Sequence, residues 1–223
     1  MTVPFRGVLF DLDGTLVDSL DLILGSYRHT MRKHLGRVPP DAEWMRTMGK
    51  PLRVQLESFA DSREQLDAMF ETYIEHNQAH HDRLIRLFPR MREVLSTLHR
   101  AGYRLGVVTS KIRDNALREL RTGGLEGLFD ALVSANDVER PKPDPEPVER
   151  ALRGLDLPAA DVLLVGDSLY DLQAGRAAGV HTAAALWGPS DHDRLAAGVP
   201  DYWLHDIDEL LELLCVDPEA GRD

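Results

Sequence analysis

Short apolar runs alternate with helical patterns along most of the chain. The runs are GVLF (7–10), YRLGVVTS (103–110), ALVSAND (131–137), DVLLVGDS (161–168) and HTAAALWG (181–188). Between them, apolar residues recur at helical spacing. Near the end, DYWL (201–204) and DIDELLELL (206–214) predict an edge strand and a closing helix. Runs this short and apolar are typical of strands buried on both faces, so the pattern predicts an α/β fold with a Rossmann-like, doubly wound parallel sheet.

One interval, residues 16–87, does not follow this alternation. It contains two long helical patterns, at 19–36 and 63–84, and no convincing buried strand. About seventy residues of helix between two strands is longer than an ordinary crossover connection. We therefore predict a core domain formed by residues 1–15 and 88–223, and an inserted all-helical cap domain at 16–87.

The amino-acid composition and net charge exclude some classes of binding partner. The 223 residues are 43% hydrophobic and 28% charged, which is ordinary for a soluble globular protein. The net charge of −11 argues against nucleic acid or an anionic membrane as partner, since both need a basic face. No apolar run is long enough to span a bilayer, and MTVPFRG lacks the apolar stretch of a signal peptide. We expect a cytoplasmic protein, a monomer or weak homodimer, that acts on a small molecule.

The single cysteine excludes an intrachain disulfide and a thiolate metal cluster. Cys215 directly follows the last helical pattern, near the C-terminus. One cysteine near the end of a chain is more often a structural thiol than a nucleophile. We expect Cys215 to be partly buried and without a chemical role.

Polar side chains follow four of the predicted strands at the points where the strands end. In chain order these are Asp11 and Asp13; Thr109, Ser110 and Lys111; Lys142; and Asp167, Ser168 and Asp171. Ligands of open parallel sheets bind outside the carboxyl ends of the strands. We therefore expect all four groups to meet in one crevice, although more than a hundred residues separate the first from the last.

The chemistry of this set indicates a metal and a phosphoryl group. Carboxylates crowded together need a hard cation, and an all-oxygen donor set favours Mg²⁺, the usual partner of phosphates. A lysine and hydroxyls can then hold the remaining phosphoryl oxygens. Each group also has a structural explanation by itself: a glycine turn after Asp13, a helix N-cap at Thr109–Ser110, a solvated Lys142, and helix capping by Asp167 and Asp171. Their coincidence at one sheet edge favours catalysis.

The same residues resemble a known family. DLDGTLVDS (11–19), VVTS (107–110), KPDPEP (142–147) and GDSLYD (166–171) are similar to the four motifs of the haloacid dehalogenase (HAD) superfamily. A helical cap directly after the first motif resembles the phosphoglycolate phosphatase-like group. SYRHTM (26–31), HNQAHHD (76–82), VVTSKIRD (107–114) and NDVERPKPDPEPV (136–148) resemble HAD pyrophosphatases of the PpaX type.

The resemblance implies a role for each matching residue. Asp11 is expected to be the nucleophile that forms an aspartyl-phosphate, and Asp13 the general acid and base. Mg²⁺ is expected on Asp11, the backbone carbonyl of Asp13, and Asp167. The phosphoryl group is expected to bind Gly14, Thr109, Ser110 and Lys142, the serine through its backbone amide. Asp171 and Ser168 are expected to support this set from behind.

The substrate stays open at this point. A phosphoglycolate-like monoester and inorganic pyrophosphate both fit the resemblance, and a β-phosphoglucomutase-type mutase shares the four motifs. A non-catalytic phosphate-binding module is a further alternative, although it has no need for both a nucleophile and an acid. Cap cations that could select the substrate are Lys50, Arg53 and His29.

Three cap histidines raise the question of a second metal. His76 and His80 are four residues apart on a predicted helix, and His81 follows them. This spacing can bind zinc. No acidic residue is placed as in a zinc hydrolase motif, so surface or phosphate-binding histidines are the favoured interpretation.

Overall fold

The computed structural model describes residues 5–217. Its strands are β1 (Gly7–Phe10), β2 (Val17–Asp18), β3 (Arg86–Leu87), β4 (Arg104–Val108), β5 (Ala131–Val133), β6 (Val162–Gly166), β7 (His181–Ala185) and β8 (Tyr202–Leu204). Six of them form a parallel sheet in the order β5-β4-β1-β6-β7-β8. The predicted α/β fold is confirmed, including the edge position of the last strand.

Ten α-helices connect the strands over the described residues. They are α1 (Leu20–Leu35), α2 (Asp41–Met45), α3 (Leu52–Glu57), α4 (Arg63–Leu84), α5 (Met91–Arg100), α6 (Arg113–Thr122), α7 (Glu146–Leu155), α8 (Leu169–Ala178), α9 (His192–Ala196) and α10 (Asp208–Leu213). The pattern at the end of the chain predicted α10 within a residue or two of its observed bounds.

The sheet is buried on both faces, as its apolar strands require. Alternate residues of a strand point to opposite faces. In β1, Val8 and Phe10 join the apolar cluster that includes α5, while Leu9 joins the cluster that includes α7. All three side chains are fully buried. Helices thus cover both sides of the sheet and leave its strand ends as the accessible edge.

The helices α1 to α4 bury an apolar cluster of their own. Trp44, Tyr27 and Met69 are fully inaccessible in it, and the rings of Trp44 and Tyr27 lie 4.8 Å apart. Helices α1 and α4 make the main contact. The sequence pattern gave no sign of the two short helices α2 and α3, because five or six residues are too few to show a period. A separate core is what an inserted domain needs, and the predicted boundaries at 15/16 and 87/88 stay a prediction.

Two short strands join this helical region to the sheet. β2 and β3 pair antiparallel, with Val17 opposite Leu87 and Asp18 opposite Arg86. The chain therefore leaves the sheet and returns to it side by side. The sequence predicted no strand here, since two residues cannot display an alternating pattern.

The expectation for Cys215 was wrong. Its side chain is exposed. The residue follows α10 in a left-handed conformation with φ of 54°. This turn ends the helix, and the thiol lies in solvent while Leu214 takes the buried position beside it.

No helix among residues 5–217 combines the length and the apolarity that crossing a membrane requires.

Candidate active site

The carboxyl ends of β1, β4 and β6 lie within one residue of each other in the centre of the sheet. Phe10 is in register with Val107 on one side and Val165 on the other. The residues that follow, Asp11, Thr109 and Asp167, therefore meet at one edge, as predicted. All three are buried, with at most 5% of each residue exposed. Their positions follow from the parallel register alone, without help from the loops.

Lys142 lies in the same crevice, although it belongs to a loop. Its Nζ is 3.0 Å from Asp11 Oδ1 and 2.5 Å from Asp171 Oδ1, and it donates to the carbonyl of Val108 at 3.1 Å. Burial by itself lowers the pKa of Lys142, but the charges of Asp11 and Asp171 outweigh it and the net shift is upward. Lys142 is thus a buried cation that stays charged beside the proposed nucleophile.

Three carboxylates crowd around this lysine. Oxygens of Asp11, Asp167 and Asp171 all lie within 4.8 Å of one another. Burial raises the pKa of Asp11 to about 7, with Asp171 adding to the shift and Lys142 opposing it. Burial and the charges of Asp11 and Asp171 also raise the pKa of Asp167 well above its ordinary value. One lysine does not neutralise three buried carboxylates, so this donor set fits a divalent cation.

The loop after Asp13 holds the carboxylate of Asp167. Thr15 Oγ1 donates to Asp167 Oδ1 at 2.8 Å from a fully buried position. Gly14 has φ of 80°, and a Cβ on it would lie 2.4 Å from Asp167 Oδ2. Gly14 therefore makes room for this carboxylate. Thr15 was missed by the sequence reasoning, although its position directly behind two acids in DGT is the signal that could have found it.

Gly14→Ala is expected to displace Asp167 and lower both activity and metal affinity. The left-handed backbone costs about 1–2 kcal/mol for any residue with a Cβ, and the clash with Asp167 comes on top. Gly36→Ala is the matched control, because Gly36 has φ of 67° but no atom within 4 Å of its Cβ position. Steady-state kinetics over a metal titration check this. Equal losses in the two variants would show that backbone strain alone is responsible.

The start of α8 fixes the third carboxylate. Ser168 is the N-cap, and its backbone N–H and Oγ donate to Asp171 Oδ2 at 3.0 Å and 2.5 Å. This capping box leaves Oδ1 of Asp171 to accept from Lys142. Asp171 and Ser168 therefore support Lys142 from behind.

The side-chain hydroxyls of Thr109 and Ser110, which follow β4, form hydrogen bonds within the protein. Thr109 Oγ1 accepts from the backbone N–H of Lys111 at 3.1 Å, and Ser110 Oγ donates to the carbonyl of Gly49 at 2.7 Å. The Ser110 side chain thus contacts the loop between α2 and α3 rather than pointing at Asp11. Both residues still line the cavity described below.

The side chain of Asp13 lies apart from the carboxylate cluster. Its Oδ1 accepts from Ser19 Oγ at 2.5 Å and from Lys111 Nζ at 2.8 Å. Lys111 also donates to Glu119, which is completely buried in α6. Sequence reasoning assigned Lys111 no role and did not single out Glu119. Lys111 adjoins Thr109 and Ser110 in VVTSK, whereas Glu119 gives no signal within an ordinary charged helix.

A cavity of about 330 Å³ lies over these groups, between the sheet edge and the helices α1 to α4. Asp11, Asp13 and Asp167 form its floor. The opposite wall is largely apolar and contains Ile23, Met48, Leu52, Phe70 and Ile74. The cavity is therefore a place where a small molecule can meet the carboxylates with little water around it.

Two of the three predicted cap cations line this cavity. Lys50 does so with its Nζ 5.3 Å from the centre of the Tyr170 ring. Arg53 also lines it, but its guanidinium pairs with Asp67 at 2.6 Å and lies over the Phe70 ring. His29 does not line the cavity, because its ring stacks on His76.

The cap histidines stack instead of converging. The ring centres of His29 and His76 lie 4.5 Å apart, and those of His76 and His80 4.1 Å. His81 is buried on another face, with its Nδ1 2.8 Å from Asp82. Among the described residues no histidine belongs to a cluster that could hold a metal. This arrangement favours structural histidines over a zinc site.

The histidine stack is expected to make stability fall in mild acid. Burial, followed by the neighbouring His80 and His29, lowers the pKa of His76 below its ordinary 6.5. The unfolded chain then binds more protons near that pH, so stability decreases as pH falls. From about pH 7.5 to about pH 5.5, a range that spans histidine titration, the thermal midpoint should drop less in His76→Asn than in the unmodified protein. Identical drops would contradict this.

Comparisons with known proteins agree with this geometry. The family model described as haloacid dehalogenase-like hydrolase matches residues 8–185. Pyrophosphatase PpaX of Anoxybacillus flavithermus is 37% identical over 94% of this chain and 96% of its own length. A haloacid dehalogenase-like hydrolase from Bacteroides fragilis superposes with a TM-score of 0.86 at 28% identity, covering 92% of this chain and 99% of its own.

A predicted phosphoglycolate phosphatase from Haemophilus somnus superposes equally well. Its TM-score is 0.86 at 25% identity, over 94% of this chain and 98% of its own. The family match and the curated relative both extend across the sheet and the helical region. The chain belongs to the haloacid dehalogenase-like hydrolase family.

Proposed function

We propose that the protein is a Mg²⁺-dependent phosphohydrolase that works through an aspartyl-phosphate on Asp11. The observation that carries this proposal is the surroundings of Asp11. Its carboxylate is buried at the end of β1, 3.0 Å from Lys142, and forms part of the floor of the cavity. A carboxylate held this way has a cation beside it and open space in front of it, as an attacking nucleophile needs.

The reaction has two steps. Asp11 attacks phosphorus, the bond from phosphorus to the leaving oxygen breaks, and Asp13 gives that oxygen a proton. Water then attacks the phosphorus of the aspartyl-phosphate, its proton passes to Asp13, and the bond to Asp11 breaks to release phosphate. Lys142 and Thr109 hold the transferring group, where negative charge collects in the transition state.

Asp11, Asp167 and the backbone carbonyl of Asp13 are the proposed metal ligands. When bound, Mg²⁺ supplies positive charge against the carboxylates and the phosphoryl oxygens. Both oxygens of Asp171 already accept hydrogen bonds, from Lys142 and Ser168. Asp171 therefore positions Lys142 in this scheme rather than binding the metal directly.

Inorganic pyrophosphate is the first candidate substrate. Its support comes from the curated relatives of more than a third identity over nearly the whole chain that carry the name pyrophosphatase PpaX. A second phosphate needs a cation on the far side of the cavity, and Lys50 is the side chain placed to supply it. Arg53 is less suited, because Asp67 already pairs with it.

A phosphomonoester with an organic leaving group is the second candidate. The size of the cavity and its wall of Ile23, Phe70 and Ile74 favour it, since apolar surface contributes nothing to binding a bare phosphate. A phosphoglycolate-like ester or a larger one fits this description.

Phosphate release from a panel with Mg²⁺ tests the proposal, with Asp11→Asn as the blank. The panel contains pyrophosphate, phosphoglycolate, sugar phosphates and p-nitrophenyl phosphate. A kcat/KM for pyrophosphate far above the rest supports the first candidate, and one for an organic ester supports the second. Release no faster than the blank from every compound would overturn the proposal, and interconversion of sugar phosphates without release would indicate a mutase.

Lys50→Ala is expected to separate the two candidates further. If pyrophosphate is the substrate, the variant should raise its KM about tenfold or more, as loss of a charge-assisted contact does, and leave p-nitrophenyl phosphate little changed. Lys33→Ala is the matched control, since Lys33 is an exposed lysine on α1. Equal effects on the two compounds would remove Lys50 from substrate selection.

A further inference from the structure

Lys111 has no part in the steps above, yet it lies inside the crevice. Its side chain is 14% exposed, and its Nζ is 2.8 Å from Asp13 Oδ1. It also contacts the carboxylate of Glu119. Lys111 is therefore placed between the proposed general acid and a second, deeper carboxylate.

Glu119 is a buried carboxylate with few hydrogen-bond partners. It is fully inaccessible in α6, and its Oε2 has no hydrogen-bond partner among residues 5–217. His81 Nε2 lies 3.6 Å from Oε1. A buried carboxylate destabilises a fold unless a cation compensates it. The cation that does so here is Lys111, and the pair holds the lysine amine in one place.

The hydrogen bonds of Asp13 are unequal. Ser19 and Lys111 both donate to the same oxygen, Oδ1. Within the described part of the chain, Oδ2 receives no comparable bond. A carboxyl group that gives a proton to a leaving oxygen needs one oxygen fixed and the other directed at the substrate. Asp13 lines the cavity, so the oxygen left over is available to it.

We propose that Lys111, held in place by Glu119, is the positioning residue of Asp13. It fixes Oδ1 of Asp13 so that Oδ2 transfers the proton to and from the reacting oxygens. The inference rests on the proposed function, because it assigns Asp13 the role of acid. It deepens that function by naming two residues outside the four quoted motifs, Lys111 in the loop after β4 and Glu119 on α6.

A different role for Lys111, direct binding of the phosphoryl group, has a different kinetic signature. Loss of a phosphoryl contact lowers the rate with every ester to a similar extent. Loss of acid positioning lowers the rate most where the leaving group is a strong base, because that oxygen depends on the proton. Phenyl phosphate and p-nitrophenyl phosphate are nearly equal in shape and differ in leaving-group basicity, so they separate the two roles.

The experiment measures kcat and KM of both esters for Lys111→Met, Lys111→Arg, Glu119→Gln and Asp13→Asn. With Lys111→Met, kcat for phenyl phosphate should fall about 10²-fold, which is the lower end of general acid effects. The loss of kcat for p-nitrophenyl phosphate should be smaller by a factor of about ten or more. KM should change little. Glu119→Gln should show the same larger loss of kcat with phenyl phosphate, but more weakly. Lys111→Arg should retain part of the activity that Lys111→Met loses.

Two further variants control for folding. Lys111→Met leaves Glu119 buried without its cation, so the double variant Lys111→Met with Glu119→Leu removes both charges and should show the same preference. Arg113→Met is the matched control, because Arg113 follows two residues later and pairs with Asp137 away from Asp13. It should behave as the unmodified protein does.

The outcomes separate this inference from the function it rests on. The inference alone would be overturned if kcat fell equally with both esters in Lys111→Met and in the double variant, while Asp13→Asn lost far more kcat with phenyl phosphate than with p-nitrophenyl phosphate. Absence of preference in Asp13→Asn would overturn the role of Asp13, and the inference with it. A larger loss with phenyl phosphate than with p-nitrophenyl phosphate in Lys111→Met, in the double variant and in Asp13→Asn supports both the inference and the proposed role of Asp13.

Discussion

Asp11→Asn is expected to abolish turnover and leave the fold intact. The asparagine has the same shape but cannot form an acyl phosphate, so the covalent step is lost. Loss of a nucleophile in other hydrolases lowers kcat by about 10⁴-fold or more, and we expect a loss of at least this size with every substrate in the panel. Phosphate release measured with and without Mg²⁺ checks it.

Stability distinguishes this loss from misfolding. Burial raises the pKa of Asp11 to about 7, so the charged form opposes folding in the absence of metal. The neutral asparagine removes that charge, and Lys142 keeps Asp171 as a partner. The metal-free thermal midpoint of the variant should therefore equal or exceed that of the unmodified protein. Activity above a small fraction of the original would contradict the covalent mechanism.

Removal of divalent metal is expected to stop the reaction completely. Three carboxylates within 4.8 Å share one lysine, and without a cation they repel an incoming phosphate. Chelation with EDTA should eliminate phosphate release, Mg²⁺ should restore it, and monovalent salt at equal ionic strength should not. Mg²⁺ should also raise the thermal midpoint of the protein in the absence of substrate, since a ligand of the folded state stabilises it.

Substitution of the two aspartates that flank β6 tests where the metal binds. Asp167 follows the carboxyl end of β6, and Asp161 precedes its other end, where it pairs with Arg6. Asp167→Asn should increase the Mg²⁺ concentration for half-maximal activity and for thermal stabilisation by about tenfold or more, the size of effect expected when a metal contact is lost. Asp161→Asn should change neither. A rate that is independent of metal would remove Asp167 from the proposed role.

The sequence predicted those parts of the site that depend on the regular sheet. Asp11, Thr109 and Asp167 meet because each follows a parallel strand, and apolar runs mark those strands without ambiguity. Lys142 was predicted from its loop and its resemblance to a motif. Its partner Asp171 was predicted from its position after β6 and from the resemblance of GDSLYD to a motif, and the capping of α8 proved compatible with that role.

The rest depends on contacts between distant segments. Lys111 was expected in the crevice with Asp13, but the sequence gave no sign that its amine bridges Asp13, 98 residues earlier, and the buried Glu119 of α6. Thr15 reaches Asp167 across 152 residues of sequence. His29 resembled a free cap cation, but its stacking on His76 depends on how α1 packs against α4. Such pairings have no periodic signature, so the sequence did not reveal them.

The covalent intermediate itself is the most direct test of the account. Enzyme, Mg²⁺ and excess substrate are mixed, quenched in acid within the first turnovers, and reduced with borohydride, which converts an aspartyl-phosphate to homoserine. Peptide mass spectrometry then locates the modified residue. We expect homoserine at position 11 of the unmodified protein and none in Asp11→Asn. Rapid phosphate release without modification, or modification at another residue, would contradict it.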